Sequence, residues 1–113
     1  MHVPCVEHSH WAHMEAFVVM QVSMREATVE RHLVRRAKQL GGMALKIEWI
    51  GRRGAPDRVV FLPGGVVWFV ELKAPGKKPK PHQVREHNRL RALGVTVMVL
   101  DTKEQVDEVL GWK

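Results

Sequence analysis

Asp57, Glu71 and Lys73 are the residues whose types and spacing could do chemistry. Two largely apolar stretches, residues 57–62 and 66–73, flank Pro63-Gly64-Gly65, a hairpin-turn sequence. A three-residue loop there sets Leu62 against Val66, and counting outward sets Asp57 against Glu71. A two-residue turn would shift that register by one. Lys73 lies two positions beyond Glu71 and therefore on the same face. Two carboxylates directly across a strand pair repel and destabilise the sheet. A cation between them relieves the conflict, as does a proton on one of them. A divalent ion with oxygen ligands and retained waters is the first case.

The elements that must position these groups follow from periodicity and punctuation. Ser23-x-x-Glu26 has the form of a capping box, and the spacing predicts a helix from there to about Leu40, stopped by Gly41-Gly42. Met43, Leu45, Ile47 and Trp49 alternate with Ala44, Lys46 and Glu48, the pattern of a half-buried strand. A loop over residues 50–56 leads to the hairpin. Val66 to Val70 is apolar without alternation and is expected to be central and covered on both faces. A proline-stiffened connector follows, then a helix from His82 to Leu93, a strand from Val95 to Leu100, and a last helix opened by Thr102-x-x-Gln105 and closed by Gly111. The order αβββαβα, ending in a strand-helix-strand unit, implies an α/β (α+β) mixed sheet flanked by helices.

Two polar residues fall where apolar ones belong. Glu30 lies within the apolar arc of the first helix, between Ala37 and Val34, and Gln83 lies between Leu90 and Val84 on the second. Buried polar groups are costly unless paired, and a shared site with Asp57, Glu71 and Lys73 would satisfy them jointly. Taken singly, each has an ordinary alternative: a salt bridge for Glu30, a backbone cap for Gln83, a turn for Asp57, a strand end for Glu71 and Lys73.

With 113 residues, 45% of them hydrophobic, the chain suits one domain, and its net charge of +6 favours a polyanionic partner such as nucleic acid. Its single cysteine, Cys5, excludes an internal disulfide and fits a reducing cytoplasm. No apolar run approaches the roughly 20 residues of a membrane span. Residues 1–22 are expected to be a disordered leader or an extended start, with residues 23–113 as the folded unit. The leader carries His2, His8, His10 and His13, a possible metal-binding cluster; Met14, Met20 and Met24 are alternative first residues.

Pro56-Asp57 followed across one hairpin by Glu71-Leu72-Lys73 resembles the PD-(D/E)xK nuclease motif. With Glu30, the run Gly51-Arg52-Arg53-Gly54-Ala55-Pro56-Asp57, the run Val70-Glu71-Leu72-Lys73-Ala74-Pro75-Gly76, and Gln83, the chain resembles the VRR-NUC family of virus-type replication and repair nucleases. The resemblance covers residues 23–112. It implies a restriction-endonuclease-like core and magnesium- or manganese-dependent hydrolysis of phosphodiester bonds in DNA. It further implies that Asp57, Glu71 and the Leu72 carbonyl hold the metal with Glu30 completing the shell, while Lys73 orients water and Gln83 positions Lys73 or that water. Branched DNA, a homodimer like the Holliday-junction resolvases, and a phage or prophage setting fit the same family. Arg52 and Arg53, on a glycine-flanked loop, and Lys77, Lys78 and Lys80, on the connector, suit contacts to the DNA backbone. The alternative function is a non-catalytic DNA-binding module on the same fold.

Overall fold

A computed structural model describes residues 14–111, with side chains from residue 25 onward. Its elements run α1 (Met14–Gln39), β1 (Met43–Lys46), β2 (Arg58–Leu62), β3 (Val66–Leu72), α2 (Pro81–Ala92), β4 (Val97–Leu100) and α3 (Lys103–Leu110). The strands form one sheet in the order β1-β2-β3-β4, antiparallel except for the parallel β3–β4 pair. This is the mixed sheet expected from the element order. The hairpin closes with Leu62 opposite Val66, and Gly64 and Gly65 both take positive φ, a conformation that costs glycine little.

One sheet face carries the core. Val29, Leu33 and Ala37 of α1 pack on Ala44, Val60, Val70, Leu72 and Leu100, with Val106 and Leu110 of α3 closing the cluster. The end of α3 is tied to α1 by charge: Asp107 accepts from Arg36 Nε at 2.8 Å and contacts His32 Nε2 at 2.8 Å, and Arg36 also donates to the Gly111 carbonyl. Burial would raise the Asp107 pKa, but the bonds to His32 and Arg36 outweigh it and hold the carboxyl below its usual value. Thr102 caps α3 by accepting from the Gln105 amide. α2 lies over the opposite face of the sheet, beside β4.

Three expectations are corrected. α1 does not begin at Ser23 but runs through it from Met14. Residues 14–22 include Met, Glu, Ala and Gln and contain neither Gly nor Pro, so the capping pattern marks no boundary. The part of the expected leader that precedes Met14, including the histidine cluster, lies outside the described residues. β1 ends at Lys46 rather than Trp49, and its buried residue is Ala44, while Met43 and Leu45 are about half exposed. The core side is the one α1 covers, where small Ala44 allows close approach. Val67 of β3 is likewise exposed, because α2 covers the sheet only toward β4; full burial comes at Val70 to Leu72.

Candidate active site

The β2–β3 ladder runs to Arg58 opposite Val70, so the next step outward places Asp57 opposite Glu71. Asp57 Oδ1 accepts from the Leu72 amide at 3.3 Å, which fixes its carboxylate against the end of β3. Glu71 is buried, and its Oε2 accepts from Gln83 Nε2 at 3.1 Å and lies 3.4 Å from Lys73 Nζ. Lys73 Nζ donates to Gln83 Oε1 at 3.0 Å, and Gln83 Oε1 also accepts from the Lys80 amide at 2.8 Å at the start of α2. Asp57, Glu71, Lys73 and Gln83 therefore meet at one end of the sheet, and Leu72 lies on the strand between Glu71 and Lys73.

The electrostatics of the cluster are unbalanced. Glu71 Oε1 is buried without a hydrogen-bond partner. Burial first, and the Asp57 carboxylate second, raise the Glu71 pKa, against the lowering effects of Lys73 and Gln83. A buried acceptor without a donor beside a second carboxylate is the arrangement a hard cation stabilises. Two facing carboxylates of this kind are oxygen donors that fit a hard divalent ion such as magnesium or manganese. No group of three or more His, Cys, Asp or Glu side chains arranged to hold a metal occurs among the described residues.

Glu30 is placed differently from the other four. Its Oε2 accepts from Arg58 Nη2 at 2.8 Å, and Arg58 Nη1 lies 2.9 Å from Asp57 Oδ2. Arg58 thus joins Glu30 to Asp57 as a buried cation, 7% exposed at the side chain, from the opposite face of β2. Sequence reasoning passed over this residue, although a charge on a strand position facing the core is its own signal. Two more were missed. Glu86 and His87 are buried on α2, three and four positions after Gln83 and so on the same face of the helix. Burial, then Arg91 and Lys73, keep the His87 pKa below normal, and its Nε2 stands 3.9 Å from Glu71 Oε1.

Of the basic residues, Lys77, Lys78 and Lys80 line an open cleft of about 280 Å³ together with Lys73, Ala74 and Glu26. Arg53 is exposed. Arg52 is engaged with Glu86 through its Nε at 3.0 Å and its Nη2 at 2.8 Å.

Comparison with known proteins gives the class first. A solved structure of a VRR-NUC domain matches with a TM-score of 0.71 at 45% identity, covering 76% of this chain and 94% of that one. The restriction-endonuclease-like nuclease fold is thereby established. "Putative nuclease p44" of Acyrthosiphon pisum secondary endosymbiont phage 1 is 54% identical over 81 residues, which span 72% of this chain and 87% of that protein. No family model matches. The chain belongs to the VRR-NUC family of nucleases. No described helix is long and apolar enough to cross a membrane.

Proposed function

We propose that this nuclease is a divalent-metal-dependent DNA endonuclease selective for branched structures, with Asp57, Glu71, Lys73 and Gln83 as its working residues. The observation that carries this reading is the unpartnered Glu71 Oε1, buried beside Asp57 with a hydrogen-bonded lysine alongside. Asp57, Glu71 and the Leu72 carbonyl would hold magnesium or manganese; Glu30 bears on the site through Arg58 and Asp57. When bound, the metal supplies Lewis-acid polarisation of the scissile phosphate and lowers the pKa of a coordinated water. Lys73, held by Gln83, orients the attacking water and places positive charge where charge builds on the phosphate oxygens. Lys77, Lys78 and Lys80 grip backbone phosphates along the cleft that leads to Lys73, with Arg53 as a further contact from the loop. Such contacts bind by shape and charge and read no base sequence.

Cutting both strands of a branch symmetrically requires two such sites, so the proposal includes a homodimer. Met43, Phe61 and Val67, side by side across three strands and each at least 40% exposed, offer apolar surface for it. Sedimentation giving only monomer on a branched substrate would remove this part of the reading.

The test is a cleavage panel of four-way junction, flap and plain duplex DNA with magnesium and with manganese. Metal-dependent cutting of the branched DNAs is expected, lost in Lys73→Ala while DNA binding persists. Binding without cleavage on every substrate would instead favour the non-catalytic DNA-binding module.

A further inference from the structure

Arg52 was expected at a phosphate, yet its side chain, 40% exposed, forms a two-pronged ion pair with Glu86 of α2. Its Nε donates to Glu86 Oε2 at 3.0 Å, and its Nη2 reaches Oε1 at 2.9 Å and Oε2 at 2.8 Å. The Glu86 side chain is only 10% exposed. Paired guanidinium-carboxylate geometry of this kind fixes orientation as well as distance. The next residue, His87, is fully buried on the same helix, and the Gly54 backbone acts on it to raise its pKa against the larger lowering effects. Gly54 itself lies against the start of α2. A Cβ added there would stand 2.8 Å from the His82 carbonyl oxygen and 3.1 Å from Gln83 Cα, and its φ of +82° also excludes most side chains. The far end of the loop is pinned by Trp49, whose Nε1 donates to the Pro56 carbonyl at 2.7 Å, one residue before Asp57.

These contacts join the two segments that carry opposite halves of the site. The loop delivers Asp57; α2 delivers Gln83, whose amide bridges Lys73 Nζ and Glu71 Oε2. We propose that Arg52 and Glu86 form a latch that sets α2 against the loop, making both of them positioning residues for Gln83 and Lys73. Arg52 then serves the site through Glu86, and phosphate binding falls to the lysines of the cleft. This inference rests on the nuclease reading above. Displacing a catalytic group by about 1 Å from a remote position can cost on the order of a hundredfold in rate, so loosening the latch acts on turnover and leaves binding largely alone.

The experiment compares Glu86→Gln, Glu86→Ala, Arg52→Ala and the Arg52→Ala/Glu86→Ala pair with wild type. It measures kcat and KM on a cleavable branched DNA, DNA affinity in EDTA across a salt series, and the NMR resonances of the Gln83 side-chain amide. The latch predicts a kcat loss of roughly tenfold or more in each single variant and DNA affinity within about twofold of wild type. It also predicts displaced Gln83 resonances and a double variant no worse than either single one. Three results overturn it. One is a Glu86→Gln protein that binds DNA more tightly and turns over normally, because its freed Arg52 now grips phosphate. Another is an Arg52→Ala protein whose salt slope falls by about 1 while Glu86→Ala cleaves normally. The third is Gln83 resonances unmoved in every variant. Because the resonances do not depend on activity, a wild type that fails to cleave would sink the nuclease reading and leave the latch still decided by them.

Discussion

Glu71→Gln removes one of two facing negative charges without changing the size of the side chain, and in the metal-free protein it should stabilise the fold. Ionised Glu71 is unfavourable there because it is buried and lies across from Asp57, and Lys73 and Gln83 offset this only in part. Like charges facing each other across a strand pair cost roughly 0.2–1 kcal/mol, and in a domain of about 100 residues each ~1 kcal/mol moves Tm by roughly 4–8 °C. The product is at most about 8 °C, and net of the lost attraction to Lys73 the expected rise at pH 7.5 in EDTA is on the order of 1–4 °C. The sign of the pH dependence follows from the raised folded pKa. The contribution of Glu71 is fully present below its ordinary value of 4.5 and is lost as pH rises through the folded value. Wild type and variant should therefore melt closest together in acid and diverge as pH rises. The proposed divalent ion should reverse the order: at 100 times its Kd it would stabilise wild type by about 2.7 kcal/mol and Glu71→Gln far less. Thermal melts from pH 4 to 8, in EDTA and in manganese, read all of this. A variant that melts at or below wild type at pH 7.5 in EDTA would refute the charge conflict on which the reasoning stands.

Further outcomes are expected. Lys73→Ala should lower the single-turnover cleavage rate by at least about a hundredfold, with DNA affinity by fluorescence anisotropy changed only modestly. Asp107→Ala leaves Arg36 and His32 without their shared carboxylate and should cost about 2 kcal/mol by urea denaturation, less than a fully buried pair because Asp107 is 20% exposed. Since the Asp107 pKa is depressed, its contribution is present above the ordinary carboxyl value and is lost as pH falls through the folded one, so wild type and variant converge in strong acid. Gly54→Ala forces a Cβ against the His82 carbonyl and should destabilise by roughly 1–3 kcal/mol while also slowing cleavage, seen as a lowered Tm together with a lowered kcat.

The hairpin register was legible in the sequence because turn chemistry and strand period are local: Pro63-Gly64-Gly65 decides who faces whom, and Asp57 and Glu71 follow. Gln83 was legible as a polar residue on an apolar arc, and it does meet Lys73 and Glu71. The same logic found Glu30 to be inward-facing but not its partner, since pairing with Arg58 depends on how α1 crosses β2, a tertiary relation that no local pattern encodes. Arg52 shows a similar limit. Exposed glycine loops bearing arginines suit phosphates on composition alone, and only the docking of α2 reveals Glu86 within reach. The alternation in β1 identified a strand without revealing which face was covered, because both sides carry apolar residues and the small Ala44 takes the helix side. The start of α1 was misplaced because a capping sequence is permissive within a helix when the residues before it are good helix formers.

Isothermal calorimetry of manganese binding to wild type and to Asp57→Asn, with no DNA present, bears most directly on the central claim that facing acids share a cation. Saturable uptake by wild type, weakened at least about tenfold by the single amide substitution, is the predicted result. Wild type that takes up no divalent ion, or Asp57→Asn that binds it equally well, would contradict it.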